Sequence, residues 1–369
     1  MIRKHGMRVR MTKRIIAMGG DGVGPEVVNA TCHILENMGL DIEIVKPPAG
    51  EAAIKSHGSP FPDETKQVCD EADAILFGAV GDKSTMIIAY LRWVLDTYAN
   101  IRPAKYYEGV HSPLKDPSGI DFVIVRENTE GLYPAREGDL SALAKALPEY
   151  RDLLGRPLAQ FGRGKFAIRV ITERGTRRIA KFACNYTRKR KNMGFPGKLT
   201  CVTKSNLLTQ TCGLFQSITE DEVKKFPDLT YEHYYVDDAA RRLVRYPKEM
   251  DVIVTSNMYG DILSDLAAEI VGGMGLAPSA CIGDKKAYFE PVHGSAPKYA
   301  GKNMVNPTAT ILSAKMMLEY LGMQGPADSL EKAVQQIYGK GRVLTYDQGG
   351  KATTTEFTEE VLKILDQRS

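Results

Sequence analysis

The sequence predicts an α/β protein that folds into two lobes. Short apolar runs that indicate buried strands alternate with helical patterns along the chain. With 369 residues, of which 43% are hydrophobic and 25% charged, the chain is long enough to bury a large core and to divide into two domains or lobes. No apolar run reaches the ~20 residues that a membrane-spanning helix needs, so no membrane partner is expected.

Five apolar runs are predicted as strands. Each is short and largely aliphatic, and each leads into a stretch that carries polar residues. The five runs are residues 14–18, 74–78, 122–125, 198–203 and 252–255. Because open α/β sheets bind ligands at the ends of such strands, we expect functional side chains directly after them.

Three further stretches complete the outline. A helix is predicted from Pro25, because proline favours the first helical turn and apolar residues follow at helical spacing. A second helix begins near Arg174 and ends in the basic run 188–191, which we interpret as a solvated end because cations are favourable there. Residues 136–163, rich in proline, glycine, leucine and charge, predict a loop or a dimer-forming arm.

The charge balance excludes one class of function. Lys plus Arg number 49 and Asp plus Glu number 45, which leaves a net charge of +4. This excess is too small to predict a nucleic-acid partner, which would need a clustered basic face with interleaved aromatic residues. It is compatible with an anionic small-molecule substrate.

The cysteines predict a cytoplasmic protein. The six cysteines show neither C-x-x-C spacing nor the density of a disulfide scaffold, which indicates reduced thiols. Cys69, Cys201 and Cys281 lie within apolar runs and are expected to pack as small hydrophobic side chains. Residues 1–11 are basic but lack the apolar stretch of a secretory signal, with a short transit peptide or an early start codon as the alternatives.

Two aspartates mark a candidate metal site. Asp261 and Asp265 lie four residues apart on a predicted helix, so their carboxylates project from one face. Mg²⁺ and Mn²⁺ prefer oxygen ligands, and a third carboxylate from elsewhere would complete a site that keeps positions open for substrate. Asp237 is the candidate for that third ligand. Taken alone, such a pair is more often a solvated helix face.

Six motifs in order resemble the β-decarboxylating dehydrogenases, which include isocitrate, 3-isopropylmalate, homoisocitrate and tartrate dehydrogenases. The similarity runs almost from end to end of the chain. The motifs are GDGVGPE (20–26), Arg92 with YANIRP (98–103), RENTEGLY (126–133), TKSN (203–206), the aspartate segment (257–268) and HGSAPKYAG (293–301) through Asn306-Pro307.

The resemblance implies a two-lobed isocitrate/isopropylmalate dehydrogenase-like fold and not a Rossmann nucleotide fold. It implies a large lobe of residues 1–97 and 272–369, a small lobe of residues 98–271 with the dimer interface and arm, and an active site in the cleft between lobes. The turn 20–26 also argues against a Rossmann nucleotide fold, because its glycine spacing is not G-x-G-x-x-G. In this family that turn lies beside the nicotinamide end of the cofactor.

Three arginines are predicted to bind substrate carboxylates. Arg92 and Arg102 flank a predicted amphipathic helix, and Arg126 ends the strand 122–125. A guanidinium group binds a carboxylate through two hydrogen bonds, which suits a hydroxy-di- or tricarboxylate built on malate. The resemblance identifies the three as the family's malate clamp, whereas without the motifs surface arginines would be equally expected.

Tyr133 and Lys204 are the candidate catalytic residues. A tyrosine and a desolvated lysine can exchange protons near pH 7 when burial and neighbouring charge lower their pKa values. The resemblance implies hydride transfer to the nicotinamide, with Lys204 of the other subunit and Asp265 or Asp237 helping to remove the C2 hydroxyl proton. CO₂ is then lost from a β-keto acid, with the metal as Lewis acid, and Tyr133 protonates the enol carbon.

The segment from residue 290 onward is predicted to bind the dinucleotide. NAD-using relatives have an acidic residue after the Ala-Pro of this segment, whereas NADP-using isocitrate dehydrogenases have Lys-Tyr, a Val and a later Tyr. This chain has Lys298, Tyr299, Val305 and Tyr346, which favours NADP over NAD because a cation suits a 2′-phosphate. Gly350 stands where those NADP enzymes have an arginine. The other predicted cofactor-binding residues are Asn206, Glu290, His293, Gly294, Ser295, Ala296 and Asn306.

Two observations on the identity of the malate conflict. Met86, Ile88 and Ala89 precede Arg92 where isocitrate enzymes carry a serine and an asparagine, and an apolar wall favours an alkyl group as in 3-isopropylmalate. Asn128 stands where isopropylmalate enzymes typically have leucine, which favours the isocitrate, homoisocitrate and tartrate branch. We expect oxidative decarboxylation of a 3-substituted (2R)-malate of isocitrate type, with a 3-isopropylmalate or other 3-alkylmalate dehydrogenase as the alternative.

The non-catalytic alternative is a regulatory subunit of a hetero-oligomeric isocitrate dehydrogenase. Such a subunit shares the fold but typically loses clamp or metal residues. This chain keeps Tyr133, Lys204 and the three aspartates. An enzyme is therefore favoured, and the resemblance implies a homodimer whose subunits share their active sites.

Overall fold

The structure, a computed structural model, describes residues 12–367 of the chain. The basic segment 1–11, for which no secretory signal is expected, lies outside the described residues. Contacts group the described residues into two compact units. Unit 1 consists of the described residues up to Thr97, of Lys105–Gly119 and of the described residues from Ala268 onward. Unit 2 consists of Tyr98–Ala104 and Ile120–Ala267.

The described part of the chain alternates strands and helices. The strands are β1 (Lys13–Gly20), β2 (Ile42–Val45), β3 (Ala74–Ala79), β4 (Ala99–Lys105), β5 (Asp121–Glu127), β6 (Glu137–Asp139), β7 (Lys165–Ala167), β8 (Lys198–Thr203), β9 (Thr230–Tyr235), β10 (Val252–Thr255), β11 (Pro278–Ile282) and β12 (Ala287–Pro291). The helices are α1 (Gly24–Asn37), α2 (Glu51–His57), α3 (Asp63–Glu71), α4 (Thr85–Ala89), α5 (Leu140–Ala146), α6 (Glu173–Asn192), α7 (Thr211–Val223), α8 (Val236–Arg245), α9 (Asn257–Ile270), α10 (Thr308–Tyr320), α11 (Gln324–Lys340) and α12 (Thr354–Asp366).

The predicted strands all appear in the structure. Two have the predicted bounds, and the other three lie inside longer strands. The added residues include Arg126 and Glu127 at the end of β5, because ladder hydrogen bonds join backbone groups whatever the side chains are. The helix predicted from Pro25 is α1, and the aspartate segment forms α9.

Unit 1 is built on strands in the order β2-β1-β3-β12-β11. β1 is parallel to β2 and β3, β12 is parallel to β3, and β11 is antiparallel to β12. Helices α1 and α10 pack on these strands, while α11 packs on α10 and α12 packs on both α1 and α11. Every residue of β3 is buried, as expected for a strand that is covered on both faces.

Unit 2 is built on strands in the order β4-β5-β10-β8-β9. β10 is parallel to β5 and β8, and β8 is parallel to β9, with α6 and α7 packed on these strands. The predicted loop or arm, 136–163, contains β6 and α5 and a short helical turn, and β6 pairs with β7 in a separate antiparallel ribbon. The segment 136–163 therefore contains regular secondary structure in addition to loop.

Two segments group differently from the predicted lobes, namely residues 105–119 and residues 268–271 at the end of α9. Residues 105–119 were expected in the lobe 98–271, but they group with unit 1. Lys105 and Tyr107 explain the difference, because their side chains donate hydrogen bonds of 2.6 and 3.1 Å to the Glu331 carboxylate on α11. These partners are more than two hundred residues away along the chain.

The basic run at the end of α6 is only partly solvated, which corrects the sequence interpretation. Arg190 is buried and donates from Nε to Asp251 at 2.6 Å and from Nη1 to Asp121 at 3.1 Å. Asp251 also accepts the N–H groups of Gly197 and Lys198, so the pair is fully hydrogen-bonded. A buried arginine is tolerated here because its charge is matched.

The cysteines pack as expected. All six are free and buried. Burial raises the pKa of the Cys32 thiol to about 11 and those of Cys69 and Cys201 to about 12. In residues 12–367, no helix is both long enough and apolar enough to cross a membrane.

Candidate active site

The turn that follows β5 is closed by its own side chains. The Glu127 carboxylate accepts hydrogen bonds from the N–H groups of Thr129 at 2.9 Å and Glu130 at 2.7 Å and from the Thr129 hydroxyl at 2.6 Å. Burial raises the pKa of Glu127 more than these bonds lower it. The Glu130 carboxylate in turn accepts a 2.9 Å hydrogen bond from the N–H of Thr172, just before α6. The closed turn sets the path of the chain from Arg126 to Tyr133.

Strand pairing brings the end of β5 beside the start of α9. β5 and β10 are parallel, and Arg126 is the register partner of Thr255, the last residue of β10. Helix α9 begins two residues later, at Asn257. Because the carboxyl ends of parallel strands meet at one edge, the aspartates of α9 and the arginine of β5 are neighbours.

The Asp261 carboxylate accepts hydrogen bonds from three side chains of unit 2. Arg126 Nη1 and Arg102 Nη1 both donate to Oδ1, the latter at 3.1 Å, and Tyr133 Oη donates to Oδ2 at 2.6 Å. The guanidinium carbon of Arg126 lies 5.3 Å from the centroid of the Tyr133 ring. The structure thus brings together two of the predicted clamp arginines, one predicted metal ligand and the predicted proton donor.

Asp265 lies one helical turn after Asp261, and an oxygen of its carboxylate is 3.5 Å from Arg102 Nη1. Burial raises the pKa of Asp265, while Arg102 lowers it and Asp261 raises it. The two carboxylates repel each other, and a divalent cation between them would remove that repulsion. An oxygen donor set fits Mg²⁺ or Mn²⁺, with further ligands required from outside the pair.

Lys204 and Asp237 form a separate ion pair in unit 2. The parallel pairing of β8 with β9 sets Thr203 opposite Tyr235, so the residues that follow each strand meet. Lys204 Nζ donates to Asp237 Oδ1, and this hydrogen bond lowers the pKa of Asp237. Within residues 12–367, no three His, Cys, Asp or Glu side chains are grouped to hold a metal ion, so Asp237 does not join Asp261 and Asp265 within one chain.

The setting of Arg92 and Arg102 differs from the prediction. They do not flank a regular amphipathic helix, because Arg92 lies inside a π-helical turn, Tyr90–Val94, that continues α4, and Arg102 lies within β4. In unit 1 the Arg92 Nε donates to the Tyr288 hydroxyl at 3.4 Å. A π-turn inside a helix often marks a functional position, since it turns one side chain out of the regular helical path.

The residues predicted to face the C3 substituent lie on α4 in unit 1. Met86 is 66% exposed, whereas Ile88 and Ala89 are half-buried and Ile88 packs against the apolar core. The Ser84 side chain is fully buried, and in unit 2 the Asn128 side chain is fully buried as well. The exposed side of α4 is therefore mainly apolar.

A cavity of about 380 Å³ in unit 1 contains most of the predicted dinucleotide site. Six of the predicted cofactor residues line it: His293, Ala296, Tyr299, Val305, Asn306 and Tyr346. Glycine permits this wall to form, because a Cβ on Gly22, whose φ is +58°, would lie 1.9 Å from the backbone oxygen of Ser295. The turn 20–26 thus contacts the predicted cofactor segment directly.

His293 fits the dinucleotide prediction. Its Nδ1 lies 3.0 Å from the Gly294 carbonyl oxygen, so Nδ1 is the protonated nitrogen. Burial lowers the pKa of His293, which leaves Nε2 as an acceptor, and Nε2 is buried with no hydrogen-bond partner in the described residues. A ribose hydroxyl or an amide N–H of a bound dinucleotide would satisfy it.

The rings of Tyr299 and Tyr346 pack together in the cavity wall, with centroids 5.4 Å apart and planes tilted by 31°. Burial and the neighbouring Tyr299 hydroxyl raise the pKa of Tyr346 to about 12. Lys298 is exposed beside this pair. Of the remaining predicted cofactor residues, Glu290 is buried in β12, Gly294 and Ser295 lie on the loop after it, and Asn206 is exposed in unit 2.

Comparison with known proteins matches residues 14–361 to the family described as isocitrate/isopropylmalate dehydrogenase. The chain belongs to this family. The 3-isopropylmalate/3-methylmalate dehydrogenase of Methanocaldococcus jannaschii is 47% identical, over 95% of this chain and 98% of that protein. The isocitrate/homoisocitrate dehydrogenase of Thermus thermophilus is 43% identical, over 96% and 99%. The solved isocitrate dehydrogenase from Methylococcus capsulatus superposes with a TM-score of 0.83 at 34% identity, over 96% and 99%.

Membership of the isocitrate/isopropylmalate dehydrogenase family makes this chain a decarboxylating dehydrogenase. The family requires a nicotinamide cofactor and a divalent metal, and it acts on small carboxylate substrates. The predicted fold class, family and enzymatic activity are confirmed, and the main and alternative substrate predictions both hold at the level of the family.

Sequence reasoning missed several residues of the site. Asp347 and Glu269 add two carboxylates to the cavity, and the glycine-rich run 272–275 that follows α9 forms one of its walls. Glu26 accepts hydrogen bonds from the N–H groups of Asn303 and Val305, both at 3.3 Å, and so holds the loop that carries Val305. The glycine-rich run was a readable signal, and Glu26 belongs to the motif 20–26, but its contacts with the loop at 303–305 could not be read from the sequence.

Proposed function

We propose that this enzyme oxidises and decarboxylates a (2R)-malate that carries an alkyl group at C3, as in 3-isopropylmalate. The apolar character of Met86, Ile88 and Ala89 carries the proposal. A carboxylate against these side chains would lose hydration without gaining a hydrogen bond, whereas an alkyl group gains from the contact. The name of the Methanocaldococcus jannaschii relative, which mentions 3-isopropylmalate and 3-methylmalate, supports the same substrate class.

Isocitrate is the second candidate. Thr85, exposed at the start of α4, favours it, because a hydroxyl is available there as a hydrogen-bond donor. The Thermus thermophilus relative carries isocitrate and homoisocitrate in its name. Asn128 favours this branch by resemblance, but its burial means that the side chain serves the interior of unit 2. The apolar side chains of α4 therefore support an alkyl substituent as the first candidate.

The proposed chemistry assigns a task to each residue of the unit 2 cluster. Arg102 and Arg126 bind carboxylate oxygens of the substrate, and Arg92 of unit 1 is the third clamp arginine. Lys204 takes part in removing the C2 hydroxyl proton as hydride leaves C2 for the nicotinamide. Tyr133 donates a proton to C3 after CO₂ departs, and its hydrogen bond to Asp261 holds the hydroxyl in place.

The proposed metal site is completed by a second subunit. Asp261 and Asp265 would hold Mg²⁺ or Mn²⁺ together with Asp237 of the other subunit of a homodimer. A bound divalent cation supplies Lewis-acid stabilisation of the oxygen at C2. The ion pair of Lys204 with Asp237 and their separation from the Asp261 cluster support this arrangement.

The proposed cofactor is NADP, with NAD as the weaker alternative. The exposed cation Lys298 and the hydroxyl groups of Tyr299 and Tyr346 are suited to a 2′-phosphate. Asp347, which lines the same cavity, opposes this preference because a carboxylate repels a phosphate. We therefore expect a modest preference for NADP.

A substrate panel tests the proposed function. kcat/KM is measured with NADP and NAD for 3-isopropylmalate, 3-methylmalate, isocitrate, homoisocitrate, tartrate and D-malate, in Mg²⁺ and in Mn²⁺. We expect the highest value for a 3-alkylmalate, at least about tenfold above isocitrate, since each buried methylene contributes roughly 0.8 kcal/mol and an unpaired carboxylate is costly. A higher value for isocitrate would make isocitrate the substrate.

A further inference from the structure

Asn257, the first residue of α9, links three segments of unit 2. Its side chain is 0% exposed. The amide oxygen accepts hydrogen bonds from Arg126 Nε at 2.9 Å and from Arg126 Nη2 at 2.6 Å. The amide nitrogen donates to the backbone oxygen of Glu130 at 3.1 Å, in the turn that leads to Tyr133. One side chain thus joins the end of β5, the following turn and the start of α9.

These contacts hold the Arg126 side chain in one position. Arg126 is 1% exposed, and its aliphatic part lies against α9 at Gly260, where a Cβ would be 2.6 Å from Arg126 Cγ. With Nε and Nη2 bonded to Asn257, Nη1 is directed to the Asp261 carboxylate. The Asn257 amide oxygen therefore helps to set the orientation of the guanidinium plane.

The acceptor is an amide and not a carboxylate, and this difference has a chemical consequence. A carboxylate at position 257 would accept the same two hydrogen bonds in the charge-assisted form that arginine prefers. It would also neutralise the positive charge that a substrate carboxylate needs. A neutral oxygen orients the fork without adding a second carboxylate to Asp261, which already faces Nη1.

We propose that Asn257 is a positioning residue that orients Arg126 for the substrate carboxylate without neutralising it. This inference rests on the proposed function, in which Arg126 binds substrate. It assigns no contact between Asn257 and the reacting atoms. Asn257 sets the affinity for the anionic substrate through Arg126, and it has no part in binding the dinucleotide.

The variant Asn257→Asp separates this role from a purely structural one. The aspartate keeps the acceptor for Arg126 but loses the donor to the Glu130 backbone oxygen, so a purely structural role predicts lower thermal stability with an unchanged substrate KM. The positioning role predicts a KM for the substrate raised by about tenfold and a KM for the dinucleotide within about twofold of wild type, both measured well below the thermal midpoint of the variant. Asn185→Asp, the same change at an exposed position of α6 in unit 2, is the matched control and should behave as wild type.

Two further variants distinguish the possible failures. Asn257→Ala removes the hydrogen-bond acceptor and should also raise the substrate KM. In an Arg126→Lys background the same change should not raise the substrate KM further, because Arg126 is no longer there to be oriented. If Arg126→Lys raises the substrate KM while Asn257→Asp and Asn257→Ala leave it unchanged, the positioning role is wrong and the clamp stands. If Arg126→Lys leaves the substrate KM unchanged, the clamp itself is wrong, and this inference falls with it.

Discussion

At the scale of single residues, the Asp261 carboxylate connects groups that are far apart in the chain. Arg102, Arg126 and Tyr133 come from two strands and a loop, and all donate to its two oxygens. The same carboxylate is a proposed metal ligand. Binding of a cation would therefore change the partners of both arginines and of the proposed proton donor together.

Asp261→Asn is expected to abolish catalysis and to lower stability to a smaller extent, because Arg102 and Arg126 lose a charged partner. The change removes a ligand charge and also relieves the repulsion between Asp261 and Asp265. We expect kcat to fall by at least about a hundredfold at saturating Mg²⁺, as for loss of Lewis-acid stabilisation, when it is measured well below the thermal midpoint of the variant. Mn²⁺ binding by calorimetry gives a readout independent of turnover. The control is Asp221→Asn, which breaks an exposed ion pair with Lys224. Near-normal activity of Asp261→Asn at low Mg²⁺ would refute the assignment of Asp261 as a metal ligand.

Cofactor preference is a second residue-scale prediction. Lys298→Asp combined with Tyr299→Ile should move the enzyme toward NAD, because the new carboxylate accepts ribose hydroxyls and repels a 2′-phosphate. A charge-assisted contact contributes about 1.5 to 3 kcal/mol, so wild type should prefer NADP by about ten- to a hundredfold, nearer the lower end because of Gly350. Steady-state kcat/KM values for NADP and NAD, in wild type and in the double variant, measure this preference. A wild-type preference for NAD would show that Asp347 outweighs Lys298.

At the scale of elements, the pairing of β5 with β10 places α9 against Arg126, and glycine makes the contact close. A Cβ on Gly260 would lie 2.6 Å from Arg126 Cγ and 2.7 Å from its Cβ. The arginine cannot yield freely, since it is buried and held by Asn257. The close packing of α9 against Arg126 of β5 therefore requires a residue without a side chain at position 260.

Gly260→Ala should displace Arg126 and lower activity. We expect the substrate KM to rise by about tenfold and the free energy of unfolding to fall by about 1 to 3 kcal/mol, as for overpacking of a core. Gly339→Ala, in α11 with open space around the added Cβ, is the matched control and should be neutral or slightly stabilising. Equal behaviour of the two variants would contradict the predicted contact.

The ion pairs that attach segment 105–119 to α11 should make stability depend on pH. Burial alone would raise the pKa of Glu331, but Lys315 and Lys105 lower it to about 2. Because the folded-state pKa lies below the ordinary value, the stabilisation is present above about pH 4.5 and is lost as pH falls toward about 2.

Glu331→Gln should cost about 2 to 3 kcal/mol at pH 7 and much less near pH 3, by the conversion of a pKa shift into free energy. Denaturant unfolding at both pH values measures the difference. Asp63→Asn, which breaks the ion pair of a 96% exposed carboxylate with Lys66, is the control and should change stability far less than Glu331→Gln does. An equal loss of unfolding free energy for Glu331→Gln at both pH values would mean that the contact is stabilised by packing and not by the charge of Glu331.

At the scale of the whole molecule, subunit mixing tests the shared site. Lys204→Ala and Tyr133→Phe homodimers should each be inactive. Random mixing should restore about one quarter of wild-type activity, because about half of the dimers are mixed and one of their two sites is intact. No recovery after verified exchange of subunits would argue that Lys204 and Tyr133 act within one chain.

Local sequence patterns were sufficient for much of this protein. The five predicted strands, the turn 20–26 and helix α9 follow from apolar runs, glycine positions and helical spacing, which are properties of neighbouring residues. Motif order was sufficient for the family and the fold class, both confirmed by comparison. The roles of Tyr133, Lys204 and the three aspartates stay predictions.

Only the tertiary structure decided which side chains meet. Arg126 and Asn257 are 131 residues apart in the chain, and Tyr133 and Asp261 are 128 apart, yet each pair is hydrogen-bonded. The burial of Arg190 and the grouping of segment 105–119 with unit 1 also depend on distant partners. Periodicity reports local backbone preference, whereas these contacts follow from strand order and register, which no short stretch of sequence encodes.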